Sequence, residues 1–160
     1  MQNINIVNLD KGNLDEVLGI CDLYWNDEFS THLKKRLNDY IDANEESTKQ
    51  NFKFFVAVAN EEVVGVAGMR NVPEKMKGFC TTDNAVELYI MAVKYKNKGV
   101  GTTLLEKRIQ IAKESGYREA ILFGGITHQE SWGFYDTKFK RVGDTLGTGN
   151  EEGTIWRVEL

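Results

Sequence analysis

Glu87-Leu88-Tyr89-Ile90-Met91-Ala92-Val93 is followed by Lys94 to Lys98, and then by Gly99-Val100-Gly101-Thr102-Thr103-Leu104-Leu105. An apolar strand here delivers a glycine-bearing loop to the start of a helix. The first N–H groups of a helix lack intrahelical partners, and the aligned peptide dipoles add positive potential, so an anionic phosphate is favoured there. Gly99 and Gly101 remove Cβ atoms from the approach, Lys96 and Lys98 add charge, and Thr102 and Thr103 bring hydroxyls. Two common phosphate loops are excluded by residue. A nucleotide P-loop needs Lys and then Ser/Thr directly after its last glycine, where this chain has Thr102-Thr103. A dinucleotide-binding turn needs a third glycine at position 104, which is Leu104.

Working outward, Leu104, Leu105, Ile109 and Ala112 form the apolar stripe of a helix over 102–115, and Gly116 supplies its stop. Strands are read at 85–93 and 120–123, a short helix at 129–137, and a terminal hairpin from 140–146 and 154–160. Upstream, 4–7 begins a strand. Asn13 caps a helix with Leu14, Val17, Leu18, Cys21, Tyr24 and Trp25 on one face. Leu33, Leu37, Tyr40 and Ile41 mark a second helix, ended by the polar stretch 44–51. Segments 52–59 and 63–70 read as a hairpin across 60–62, and 73–83 as a loop. The pattern is one α/β domain over 1–160, without repeat or linker.

The 160 residues carry 20 bases against 24 acids, and 41% are hydrophobic, which excludes a disordered acidic tail and makes strong nucleic-acid binding unexpected. The charge is uneven. Residues 10–46 hold ten acids and four bases, whereas 94–141 hold ten bases and five acids. Cys21 and Cys80 lie in no metal or redox spacing, and His32 and His128 are too few and too separated for a metal site. The N-terminus lacks the basic and apolar regions of a signal peptide, and no window suits a membrane span. A soluble cytoplasmic protein without metal, membrane or nucleic-acid partner is expected.

The segment 96–101, Lys-Asn-Lys-Gly-Val-Gly, resembles the acetyl-CoA motif Gln/Arg-x-x-Gly-x-Gly/Ala of the GCN5-related N-acetyltransferases, the GNAT superfamily. Val93 ends the strand and Leu104-Leu105 open the helix stripe, as in that family, while Lys96 stands at the Gln/Arg position. Downstream, 128–139 is similar to the family's Asn-x-x-Ala-x-x-x-Tyr-x-x-x-Gly-Phe. Tyr135 fits the tyrosine, His128 stands for asparagine and Ser131 for alanine, and the Gly-Phe end is one residue short. The resemblance covers nearly the whole chain. It implies a mixed, mostly antiparallel twisted sheet of about seven strands flanked by helices, with a V-shaped splay between the fourth and fifth strands.

It also implies acetyl-CoA as co-substrate and direct attack of an amine on the thioester. Cofactor contacts would come from Met91, Ala92, Val93, Lys96, Lys98, Gly99, Val100, Gly101, Thr102, Thr103, His128 and Ser131. Glu87 stands where several members place their base, and by strand alternation shares a face with Tyr89, Met91 and Val93; a water relay is the alternative. Tyr135 would protonate the leaving thiolate or hydrogen-bond the sulfur, since a phenol near pKa 10 holds its proton at neutral pH. His128 would contact the cofactor or cap the following helix. The acids Asp22, Asp27, Glu28, Asp39, Asp42, Glu45 and Glu46 lie where the family's first two helices flank the acceptor, which suggests a cationic amine. A non-catalytic acyl-CoA-binding module, a protein-amine acetyltransferase needing a partner, and a homodimer remain open alternatives.

Overall fold

The computed structural model describes residues 3–25 and 27–160. Met1, Gln2, Asn26 and the side chain of Asp27, one of the acids named above, lie outside the described residues. The first half of the chain runs β1 (Ile4–Asn8), α1 (Leu14–Tyr24), α2 (Asp27–Ile41), α3 (Glu45–Lys49), β2 (Lys53–Ala59) and β3 (Glu62–Asn71). The second half runs β4 (Ala85–Glu87), β5 (Met91–Val93), α4 (Val100–Glu114), β6 (Glu119–Gly125), α5 (Trp132–Asp136), β7 (Lys140–Leu146) and β8 (Glu152–Glu159). These elements fall into two compact units, Met1–Arg70 with Ile90–Arg108, and Asn71–Tyr89 with Ile109–Leu160.

In the first unit β1, β2, β3 and β5 pair antiparallel in that order. The β2–β3 hairpin turns on Asn60 and Glu61, at φ 52° and 64°, the two-residue type I′ signature that matches strand twist. Ala57, Ala59, Val64, Ala67, Val100 and Leu104 form one core cluster of this unit. Helix α4 seats directly on β3 at Gly65, where a Cβ would stand 2.8 Å from Val100 Cγ1 and 3.0 Å from Leu104 Cδ1. Any side chain there would lift the helix off the sheet.

The expected strand over 85–93 is broken in two, so that the sheet of about seven strands counts eight among the described residues. β4 pairs in parallel with β6 from Ala85↔Glu119 to Glu87↔Ile121, and Leu88 N–H donates to the Ile121 carbonyl at 2.8 Å. Ile90 then adopts φ 45°. That left-handed conformation costs a β-branched residue about 1–3 kcal/mol. After it, Met91–Val93 take β3 as their ladder partner. β6 runs on to Gly125 against β8, so its parallel pairing stops at the break. Strand alternation does not carry through Ile90, and the expected common face of Glu87, Tyr89, Met91 and Val93 is lost.

Other differences are local. Asn13 precedes α1 without capping it by its side chain; the carboxamide oxygen instead accepts from Asp10 N–H at 3.0 Å. Within 44–51 a short helix forms, capped by Asn44, whose Oδ1 accepts from Ser47 N–H at 2.9 Å. The loop 73–83 contains a 3-10 turn over Glu74–Phe79, and another, Ile126–Ser131, precedes α5. Helix α4 begins at Val100, two residues earlier than its apolar stripe alone indicates.

In the second unit the order is β4-β6-β8-β7, parallel for the first pair and antiparallel for the others. Ile121 and Ile155 pack with Met76, Phe79 and Phe123 on one sheet face. Leu122, Gly124 and Trp156 occupy the other, and Trp156 is fully buried. A Cβ at Gly124 would lie 2.6 Å from Trp156 Cζ3 and 3.1 Å from Trp132 Nε1. Gly124→Ala is therefore expected to cost about 1–3 kcal/mol, read from the denaturation midpoint. Gly133→Ala in α5, where a Cβ meets nothing within 4 Å, is the control and should be neutral or slightly stabilising.

Candidate active site

In the first unit, β5, the loop 94–99 and the start of α4 form one continuous structure. Thr103 N–H makes the first intrahelical bond, to the Gly99 carbonyl at 3.0 Å. The N–H groups of Val100, Gly101 and Thr102 precede it and are the helix's outward donors. Gly99 is required for its backbone: φ is 80°, and a Cβ there would meet nothing within 4 Å. Gly101 instead sets the approach of helix to strand, since a Cβ would lie 3.4 Å from Met91 Cε. The Thr103 hydroxyl donates to the Gly99 carbonyl at 2.8 Å, which ties it into the turn, whereas Thr102 is half-buried at the helix start. Lys96 and Lys98 are exposed beside these donors. Such a donor set fits a pyrophosphate.

The loop is fastened at its base. Lys94 Nζ bonds Glu62 Oε2 at 2.6 Å, and Tyr95 OH donates to the same oxygen at 2.8 Å. The Lys94 hydrogen bond, and then that of Tyr95, hold the Glu62 carboxyl below its usual pKa; the same contact raises the Lys94 ammonium. A lowered acid stabilises above its ordinary pKa and loses that contribution as pH falls through the lowered value. A raised lysine contributes below its ordinary pKa and loses it as pH rises through the raised one. The anchor therefore holds across neutral pH. Glu62→Gln should lower the protection factors of the amides at 94–98 by about two- to fivefold at neutral pH, and acid should lower those of the wild type but not of the variant.

Met91 and Val93 do not turn their side chains to open space; both pack against the core cluster that includes Val100 and Leu104, and Ala92 is buried. What β5 offers beyond β3 is its backbone.

Glu87, Tyr135, His128 and Ser131 all belong to the second unit. Glu87 is 3% exposed and pairs with Ile121, on the sheet face of Phe123 and Ile155. The Tyr135 ring lies 5.2 Å from Trp156, on the opposite face, with Phe134 at 5.4 Å and Phe139 at 6.4 Å. Asp136 supports this cluster. It accepts from Trp156 Nε1 at 2.8 Å and pairs with Arg141 at 2.8 Å, and these bonds lower its pKa in that order of effect. Arg141 stacks over Trp132 and Trp156 at 5.1 and 5.4 Å. His128 lies inside the 3-10 turn with non-helical φ −120° and ψ 36°, 3.7 Å from Glu130; Ser131, not His128, holds the position before α5.

Three features escape the sequence reading: the break at Ile90, the seat at Gly65, and Arg108, which is 1% exposed. Only Gly65 left a signal, a glycine within a β-branched strand. Both cysteines are free thiols. Burial pushes Cys21 to about 12; burial, and then the Glu119 charge, push Cys80 to about 11, so neither is a thiolate nucleophile at neutral pH. Among the described residues no His/Cys/Asp/Glu group could hold a metal, and no helix is long and apolar enough to cross a membrane.

Comparison with known proteins follows the same lines. No curated protein matches the sequence significantly. A structure from Desulfovibrio desulfuricans assigned to the GNAT family superposes with a TM-score of 0.80 at 14% identity, over 98% of this chain and 99% of that one. A GNAT-family acetyltransferase from Staphylococcus aureus Mu50 gives 0.75 at 19% identity, over 99% of each chain. The PaiA N-acetyltransferase of Thermoplasma acidophilum, solved in complex with coenzyme A, gives 0.66 at 17% identity, again over 99% of each. These likenesses establish the fold. The profile of the acetyltransferase (GNAT) family matches residues 17–139, from the first helix through the glycine loop to the end of the Tyr135 segment, and the chain belongs to that family.

Proposed function

We propose that residues 1–160 act as one N-acetyltransferase domain that moves the acetyl group of acetyl-CoA onto a primary amine by direct attack. The observation that carries this reading is the β5–loop–α4 structure: a helix start, whose first N–H groups lack intrahelical partners, Gly99 in the left-handed conformation, and Lys96 and Lys98 exposed beside it. Val100, Gly101 and Thr102 would bind the pyrophosphate through their N–H groups, and Met91, Ala92 and Val93 would pair with the pantetheine through backbone groups. His128 and Ser131 would add contacts at the start of α5. Bound there, acetyl-CoA supplies an activated thioester. Glu87 takes the proton of the attacking amine, and Tyr135 hands a proton to the departing sulfur.

The acceptor is proposed to be small and cationic. Asp22 is engaged by Ser30 and Lys34, Asp39 by Lys35 and Glu46 by the Gln50 amide, and Glu28, Asp42 and Glu45 are exposed on this lobe. Acetyl-CoA at a hundred times its Kd should stabilise the chain by about 2.7 kcal/mol, seen as a rise in Tm. Thiol release would then be screened over polyamines, aminoglycosides, amino acids and peptides, with neutral amines alongside. Absence of thermal protection removes the reading. Protection without release on any amine makes the chain a binding module, and preference for neutral amines rejects the cationic acceptor.

A further inference from the structure

Arg108 is a charged side chain at 1% exposure in α4, one that the proposed chemistry does not use. Its bonds are directed at the strand break. Nη1 donates to the Ile90 carbonyl at 3.2 Å and to the Gly68 carbonyl of β3 at 3.1 Å. Nη2 lies 3.4 Å from Met91 Sδ, and Nε 3.4 Å from the Leu104 carbonyl. One planar group thus reaches the helix that carries it, the strand beneath, the kinked residue and the first residue of β5. The Ile90 carbonyl also accepts from Gly68 N–H at 3.4 Å. Ile90 is β-branched and sits at φ 45°, a conformation that persists only where its surroundings over-determine it.

From this geometry we infer that Arg108 is a positioning residue for acetyl-CoA. It holds Ile90 in the left-handed conformation, and thereby fixes the height and orientation at which Met91–Val93 present their backbone to the cofactor. The inference rests on the proposed acetyl-CoA site. A lysine cannot replace the fork, since its single ammonium lacks the rigid planar geometry that reaches two carbonyls and a thioether together. Met91 extends the effect: its side chain lies between Arg108 and the first turn of α4, with Cε 3.4 Å from where a Gly101 Cβ would be. A shift at the break would therefore reach the phosphate-binding turn as well.

The test is a cycle of Arg108→Met, Ile90→Gly and the double variant, with Arg108→Lys beside them. Acetyl-CoA Kd, KM and kcat are measured on chains whose folding is checked by circular dichroism. Arg108→Met should raise the acetyl-CoA KM and Kd about tenfold or more, with a smaller change in KM for the amine. Arg108→Lys should recover only part of that loss. Glycine adopts a positive φ without strain, so adding Ile90→Gly to Arg108→Met should return the acetyl-CoA Kd to within about threefold of Ile90→Gly alone. A residue that merely filled the core would show no such rescue. Folded Arg108 variants with wild-type Kd and KM, or losses that simply add in the double variant, overturn the inference. If Arg108→Met does not fold, the Arg108→Lys and double-variant arms decide it. A wild-type chain that neither binds acetyl-CoA nor releases thiol defeats the underlying reading instead, so the two failures are distinguishable.

Discussion

Tyr135→Phe is expected to lower kcat about 10²- to 10³-fold while the Kd for acetyl-CoA changes by no more than about twofold. The substitution removes one oxygen and keeps the ring, so the contacts with Trp156 at 5.2 Å and Phe134 at 5.4 Å survive, and no loss of fold is expected. A hydroxyl that donates its proton to the sulfur acts only as the thioester breaks, and its removal falls on kcat. A hydroxyl that only binds the sulfur acts in the ground state too, and its removal appears in affinity. Steady-state kinetics with acetyl-CoA titrations separate the two. Equal losses in kcat and affinity would assign Tyr135 to binding alone. The supporting cluster holds Trp156, against which the Tyr135 ring packs, through Arg141 and Asp136.

The second large effect is at Glu87. Glu87→Gln keeps the shape and the hydrogen-bonding reach of the side chain but cannot accept a proton, and kcat at neutral pH should fall about 10²-fold. The pH profile carries the distinctive signature. Without a base, turnover depends on the fraction of acceptor amine already deprotonated, so the variant's rate should climb with pH toward the amine's own pKa, about 10.4 for a lysine-like acceptor. Wild type and variant would converge at high pH. A variant with wild-type rate at neutral pH would show that a water relay, not Glu87, takes the proton. At 3% exposure the carboxylate sits in the sheet, so thermal unfolding must accompany the kinetics.

Both experiments concern residues legible before any coordinates. The strand–loop–helix placement of Gly99 and Gly101 could be read because the proposed phosphate cradle demands particular residue types at fixed spacing after a strand and before a helix. Tyr135 and Trp132 could be read because both lie on one turn of a short helix, and the structure does bring Trp132 as well as Tyr135 against Trp156. The strand break could not. Every residue from Leu88 to Val93 favours or tolerates an extended conformation, and nothing local announces that β-branched Ile90 will take φ 45°. Arg108 was equally silent. A basic residue in a helix is by default solvent-facing, and the partners that make its burial tolerable include the carbonyls of Gly68 and Ile90, forty and eighteen residues away along the chain.

What the amino-acid sequence determined by itself is the family; it also nominates the proposed donor loop, acid and base, because each rests on local spacing and side-chain chemistry. Only the tertiary structure decided that the fourth strand divides, that Glu87 and Tyr135 stand on opposite sheet faces, and that the side chains of Met91 and Val93 pack against the core. Those outcomes depend on which strands share hydrogen bonds. β4 takes β6 as its parallel partner and β5 pairs antiparallel with β3, and between them Ile90 at φ 45° breaks the strand, an outcome that no local preference announces.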